Sequence, residues 1–320
     1  MCQIIYLLVK GVVMKSTGSW YTICDENGKK IDCRLKGKFR IKGIKSTNPV
    51  AVGDYINFEF EQGKETGVIN KIFDRKNYII RKSVNLSKQT HIIAANIDTA
   101  FLLVTLDSPP TSPGFIDRFL ATAEAYNIPV VIVFNKIDLC TDALLEKKKA
   151  LENTYTTIGY RCIDISATKN INIDKIIALM KGKTTMFSGH SGVGKTTLIN
   201  AIEPSLNLKT AEISKQHKQG LHTTTFAEMF ELSFGGFIID TPGIKGFGVV
   251  NFEPQEIGHY FVEFFKLSSK CKFNNCLHIN EPKCAVKEAL ENNEIALSRY
   301  NSYLQIIAGD EEHYRTDIYG

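Results

Sequence analysis

Residues 189–197 read GHSGVGKTT, and well before them, at 135–138, the chain reads NKID. The longer string fits G-x-x-x-x-G-K-[ST] from Gly189 to Thr196, the pattern of a loop that wraps phosphate. An apolar run, TTMFSG, precedes it and a helix-compatible KTTLINAI follows, so a strand–loop–helix unit is predicted. Gly189, Gly192 and Gly194 remove side chains that would block the backbone, letting the N–H groups around His190, Ser191 and Val193 converge on phosphate oxygens. The helix opening at Lys195, Thr196 and Thr197 adds its positive end. Lys195 is expected to reach the β- and γ-phosphates, and the Thr196 hydroxyl to coordinate Mg²⁺.

NKID follows PVVIVF, so it falls at a strand's C-terminal end, where open α/β sheets bind ligands. One carboxylate, that of Asp138, can accept both N1–H and N2–H of guanine. Adenine offers no such pair, so the site is expected to take GTP and GDP and reject ATP. Asn135 is expected to bond the base and the local backbone, with Lys136 lying along the nucleotide. Ser166 and Ala167, in SAT after the strand CIDI, offer backbone N–H to guanine O6. DTPG at 240–243 closes the apolar run GFIID; Asp240 is expected to hold Mg²⁺ through water and the Gly243 N–H to meet the γ-phosphate. Thr223 or Thr224, in HTTT at 222–225, would complete the metal shell only when the γ-phosphate is present.

These loops run base-reading first and phosphate-binding second, the reverse of the ordinary GTPase order. Relabelling DTAFLLVTL and PVVIVF as the fourth and fifth strands, and TTMFSG as the first, restores that order as a circular permutation, with 171–183 joining the old ends. The fold class expected is therefore α/β: a circularly permuted P-loop GTPase domain over 83–248, its mostly parallel sheet alternating with helices such as GFIDRFLATAEAYN and ALLEKKKALENTY. Before it, over 1–82, five strand-like runs separated by glycine-bearing turns predict a small β-barrel. After it, 249–320 predicts a zinc-binding helical domain.

Residues 1–82 hold sixteen Lys+Arg against eight Asp+Glu, a net of +8 within a chain of +5. Arg34, Lys36, Lys38, Arg40 and Lys42 alternate with less polar residues, which on a strand places every charge on one face. Such a face either follows an RNA backbone or is simply solvated. The N-terminus lacks the features of a signal peptide and no run reaches the length of a membrane span, so a cytoplasmic protein without membrane contact is expected. Of eight cysteines, three cluster with a histidine as Cys271, Cys276, His278 and Cys284, a donor set for one structural tetrahedral Zn²⁺. The others have no partner at metal spacing and read as ordinary thiols.

The basic barrel, NKID, GHSGVGKT, HTTT, DTPG and the closing HINEPKCAVKEALENNEIALSRYNSYLQI together resemble the circularly permuted small ribosomal subunit biogenesis GTPases of the RsgA/YjeQ type, over nearly the whole chain from Gly11. The resemblance implies that 1–82 is an OB-fold β-barrel, that the protein binds the small ribosomal subunit and its rRNA late in maturation, and that the subunit stimulates GTP hydrolysis; a monomer is expected. It implies a catalytic histidine at His222, working with Lys195 and Thr224, although Leu221 stands where the family usually carries Arg. Ile244 occupies the position from which other GTPases orient the attacking water with glutamine, so slow unaided hydrolysis is expected. Two other readings stand beside this one: a GTP-gated RNA-binding module with little turnover, and a GTPase acting on another structured RNA.

Overall fold

The computed structural model describes residues 9–35, 49–82, 90–208, 227–240 and 252–309. Along the chain come strands β1 (Val9–Ser16), β2 (Tyr21–Asp25), β3 (Lys30–Leu35), β4 (Tyr55–Phe60), β5 (Gly67–Ile72), β6 (Tyr78–Lys82), β7 (Thr90–Ala95) and β8 (Thr99–Val104). Helix α1 (Pro113–Ala125), β9 (Val130–Phe134), α2 (Asp142–Ile158), β10 (Arg161–Asp164), α3 (Ile173–Met180), β11 (Thr184–Ser188) and α4 (Lys195–Ile202) follow. Then come β12 (Glu228–Glu231), β13 (Phe237–Asp240), α5 (Pro254–Ile257), α6 (Val262–Ser268), α7 (Ala285–Glu291) and α8 (Leu297–Ile307). These elements pack as two units. One is Met1–Ala100 with Lys175–Phe187 and Ala211–Gly246; the other is Phe101–Asp174 with Ser188–Thr210 and Phe247–Gly320.

In the first unit β1 to β5 close a barrel. β1 pairs with both β2 and β4, β2 with β3, and β5 with both β3 and β4; the β3–β5 pair is parallel and the others antiparallel. That five-stranded closure is the OB-type arrangement. Alternation does the sorting: Ile31 and Cys33 point inward on β3 while Lys30, Asp32 and Arg34 point out. Val13, Tyr21, Ile23, Ile56, Phe58 and Ile69 join them in the core. A Cβ at Gly67 would come within 2.7 Å of both Cys33 Sγ and Phe58, so glycine there sets how closely the strands pack. Beneath the barrel, the buried Arg75 guanidinium clasps Asp54 with two bonds of 2.6 Å, and Asp54 also accepts the Ala51 N–H at 2.8 Å.

Of the five alternating cations predicted for a charged strand face, Arg34 lies among the described residues and Lys36, Lys38, Arg40 and Lys42 lie outside them. Arg34 is ion-paired with Glu61, so its charge is partly neutralised within the barrel. β6 and β7, which the residue pattern did not suggest, form an antiparallel hairpin. β11 runs parallel to β13. β12 is antiparallel to β13, because the short link Leu232–Gly236 between them leaves no room for a crossover, and it pairs antiparallel with β1, where Lys15 and Glu228 also form a half-buried ion pair.

In the second unit the strand order is β10-β9-β8, with β9 and β10 parallel. β8 and β9 are buried at every residue, as strands covered on both faces must be. The connecting helices start where the sequence supplies caps. Ser112 Oγ accepts the Phe115 N–H ahead of α1, which also has Pro at its first position, and Thr141 Oγ1 accepts the Leu144 N–H ahead of α2. Gly159, at a φ of 122°, ends α2. α5 to α8 pack around Phe261, Phe264, Val286, Ile295 and Tyr303. Among the described residues no helix is long and apolar enough to cross a membrane.

Candidate nucleotide-binding site and metal centre

Asn135, at the end of β9, is the pivot of the second unit's loops. Its Nδ2 donates to the Val193 carbonyl at 2.8 Å and its Oδ1 accepts the Ala167 N–H at 3.2 Å. NKID, SAT and the phosphate loop are thereby joined by one buried amide, 4% exposed. Its backbone N–H is held by Val104 of β8 at 2.9 Å. Lys136 sits in the left-handed region (φ 64°), and the turn that follows leaves Asp138 exposed, free to meet a base edge. Ser166 is buried, its hydroxyl accepting the Lys169 N–H at 3.1 Å, which fixes the SAT turn.

Residues 189–194 curve from β11 into α4. Gly194 has φ 96°, and a Cβ on it would lie 2.5 Å from Asn135 Nδ2; the phosphate loop and NKID can approach this closely only because residue 194 is glycine. Gly189 is similarly pressed against the Leu103 carbonyl. Lys195 Nζ donates to the carbonyls of Gly189 (2.7 Å) and His190 (2.6 Å), placing its ammonium inside the loop it follows. Thr196 and Thr197 lie half-buried in the first turn of α4, and Ser191 and Gly192 are exposed at the loop's crest. In the first unit Asp240 closes β13, half-buried and in register with Glu228. His222, Thr223, Thr224, Gly243, Leu221 and Ile244 lie outside the described residues.

The structure adds a wall that the motifs did not include, the loop between β8 and α1. Thr105 Oγ1 donates to the Pro109 carbonyl at 2.5 Å and the Thr111 N–H to the Thr105 carbonyl at 2.8 Å, closing the loop on itself. Lys136 Nζ donates to the Ser108 carbonyl at 2.5 Å, and a Cβ on Gly192 would meet the Pro109 ring at 3.3 Å. Phe115, in the first turn of α1, stacks on the His190 ring with centroids 3.7 Å apart. The signal was present as DSPPTSPG at the C-terminal end of an apolar strand, a place where α/β sheets gather ligand-binding loops.

Cys271, Cys276, His278 and Cys284 come together, with their ligand atoms all within 4.8 Å of one another. His278 Nδ1 is 3.3 Å from Cys284 Sγ and 3.7 Å from Cys271 Sγ. Bonds of about 2.3 Å to sulfur and 2.0 Å to nitrogen in a tetrahedron put ligand atoms about 3.5–3.8 Å apart, so the donor set fits Zn²⁺. Burial holds His278 below the usual imidazole range, which keeps the ring neutral as a metal ligand requires. Outer contacts set the loop: Glu281 accepts the N–H groups of Leu277 and Ile279 at 2.8 and 2.9 Å, while Tyr303 and Tyr300 donate to the carbonyls of Leu277 (2.6 Å) and His278 (2.7 Å). The tyrosine contacts were not readable from the sequence, because neither tyrosine stands near the cluster in it.

Comparisons with known proteins agree with this assembly. The family model "RsgA GTPase" matches residues 72–250 and "RsgA N-terminal domain" matches 10–69. The small ribosomal subunit biogenesis GTPase RsgA of Flavobacterium johnsoniae is 64% identical over 312 residues, covering 97% of this chain and 96% of its own. That of Christiangramia forsetii is 64% identical over 313 residues, covering 97% and 99%. Among solved structures, YjeQ from Thermotoga maritima superposes with a TM-score of 0.77 at 36% identity over 95% of this chain and 98% of its own. YloQ, described as a circularly permuted GTPase, does so at 0.75 and 31% identity over 98% of each chain. The reversed loop order is thus a circular permutation preceded by a closed barrel, and with a family model spanning more than half its length, the chain belongs to the RsgA GTPase family.

Proposed function

We propose that this GTPase assists the late maturation of the small ribosomal subunit, binding the subunit and its rRNA and hydrolysing GTP to GDP and phosphate under the subunit's stimulation. The observation carrying the nucleotide half is the Asn135 amide, which ties the base-reading and phosphate loops into one site. Asp138 reads guanine, with Asn135, Lys136, Ser166 and Ala167 shaping the base pocket. Gly189 to Thr197 hold the phosphates. Thr196 and Asp240 hold Mg²⁺, with Thr223 or Thr224 and the Gly243 N–H engaging once the γ-phosphate is present. The metal supplies neutralisation of phosphate charge. Lys195, His222 and Thr224 act in hydrolysis, Lys195 on the phosphate and His222 toward the attacking water.

The subunit half rests on relatives at 64% identity that carry that name, and on the +8 excess of residues 1–82. In this reading 1–82 is the RNA-binding barrel, 83–248 the permuted GTPase domain and 249–320 a module folded around structural Zn²⁺. The protein works in the cytoplasm as a monomer. The deciding measurement is GTP hydrolysis by the purified protein alone and with 30S subunits, 50S subunits or bulk tRNA. A large increase with 30S alone is expected, and it should be lost in His222→Ala. Tight GTP binding with no increase from any partner would leave a gated binding module instead.

A further inference from the structure

The most deeply buried charges in the second unit take no part in nucleotide or metal binding. Arg299 of α8 is 1% exposed and Asp117 of α1 is 0% exposed. Arg299 Nη1 donates to Asp117 Oδ1 at 2.9 Å, while Nε and Nη2 grip Glu263 of α6 at 2.7 and 3.0 Å. The guanidinium also lies 4.4 Å from the centre of the Phe261 ring, and Tyr155 of α2 donates to Asp117 Oδ1 at 2.8 Å. Burial pushes the Asp117 carboxyl upward against the opposing pull of Arg299, so the cluster carries a real desolvation cost.

Apolar side chains of the same volume would hold these helices together at least as well. What directional contacts add is orientation: Glu263 aims the guanidinium with two bonds, and its single remaining bond to Asp117 then favours one rotation and height of α1, where a greasy contact tolerates small slides. Those two degrees of freedom matter at the other side of α1. Phe115 stands two residues before Asp117, about 200° around the helix, and stacks on His190 of the phosphate loop. The loop leading into α1 touches the same site twice more, through Pro109 on Gly192 and the Ser108 carbonyl on Lys136.

We propose that Arg299, Glu263 and Asp117 are positioning residues for the nucleotide: they set α1 so that Phe115 braces His190 and, with it, the phosphate loop. The helical module that carries the metal cluster thereby tunes phosphate affinity from behind, through α1, without touching the ligand. This inference rests on the guanine-nucleotide reading of the site.

Three variants test it: Arg299→Lys, which keeps the charge but removes the fork; Phe115→Leu, which removes the brace and buries no new charge; and the two combined. GDP affinity is measured by titration with fluorescent GDP. The His190 ring resonances, assigned through His190→Gln, report the stack directly, because an aromatic ring at this distance shifts them. Each single variant should raise the GDP dissociation constant about tenfold, and the double variant should be no weaker than either, since both cut one path. In Arg299→Lys the His190 resonances should move toward their positions in Phe115→Leu. A lowered melting temperature with unchanged affinity and an unmoved His190 signal would mean that the cluster is only structural. An additive double variant would overturn the shared path. Unchanged affinity in Phe115→Leu would overturn the brace even if Arg299→Lys did not fold. Failure of the unmodified protein to bind GDP would instead remove the underlying nucleotide reading.

Discussion

In the proposed site the exposed Asp138 carboxylate is what distinguishes guanine from adenine. Replacing it with Asn substitutes a donor for one acceptor, which suits the O2 carbonyl of xanthine and leaves the guanine N2 amine facing N–H. Asp138→Asn should weaken GTP binding by at least about tenfold, with xanthosine triphosphate regaining what GTP loses. Competition between the two nucleotides measures this. Asn135 belongs to the same scale but answers differently. Because its amide is committed to Val193 and Ala167, Asn135→Ala should loosen both loops and weaken GTP and xanthosine triphosphate alike.

Among elements, burial decides which ion pairs matter. Arg75 and Asp54 are almost wholly enclosed beneath the barrel, so Arg75→Ala strands a carboxylate and should cost about 3–5 kcal/mol, read as a lower denaturant midpoint. The half-exposed Lys15–Glu228 pair links β1 and β12, and Lys15→Ala should change stability by less than about 1 kcal/mol in the same measurement. The metal loop makes a second prediction at this scale. Burial pushes the Cys33 and Cys162 thiols up to about 12, so neither should react with a thiol reagent at neutral pH in the folded protein. If Zn²⁺ holds this module folded, a chelator should unfold it and so expose three further reactive thiols, Cys271, Cys276 and Cys284, while Cys33 and Cys162 stay silent until the barrel and sheet unfold. No change in thiol count on chelation would remove the metal assignment.

For the whole molecule the segregated charge is the relevant quantity. An RNA contact made by residues 1–82 releases counterions, so affinity for the small subunit should fall steeply with salt. Replacing Lys36, Lys38, Arg40 and Lys42 with Gln should flatten that salt dependence by about one unit of slope for each phosphate no longer neutralised. An unchanged slope would place the RNA-binding surface elsewhere and leave those residues as a solvated face. Arg34, already paired with Glu61, should contribute least.

Much of this protein is legible in local sequence because local chemistry repeats locally. Strand alternation predicted the barrel runs, apolar runs predicted β8, β9 and β11, and Gly189, Gly194 and Lys195 announced a phosphate loop, since each pattern reflects the geometry of a few adjacent residues. The Cys271, Cys276, His278 and Cys284 cluster was readable for the same reason, all four lying within one short stretch. The tertiary structure alone decided who meets whom across the chain. Asn135 reaches Val193 from 58 residues away and Arg299 reaches Asp117 from 182, and no periodicity records such a pairing. β6 and β7, no shorter than the strands that were legible, were not singled out by their residue pattern. A run of side chains specifies which face is buried, but its burial partner is chosen by packing the whole chain, so the loop wall at 105–111 and the brace from Phe115 to His190 exist only once the helices and strands have closed around them.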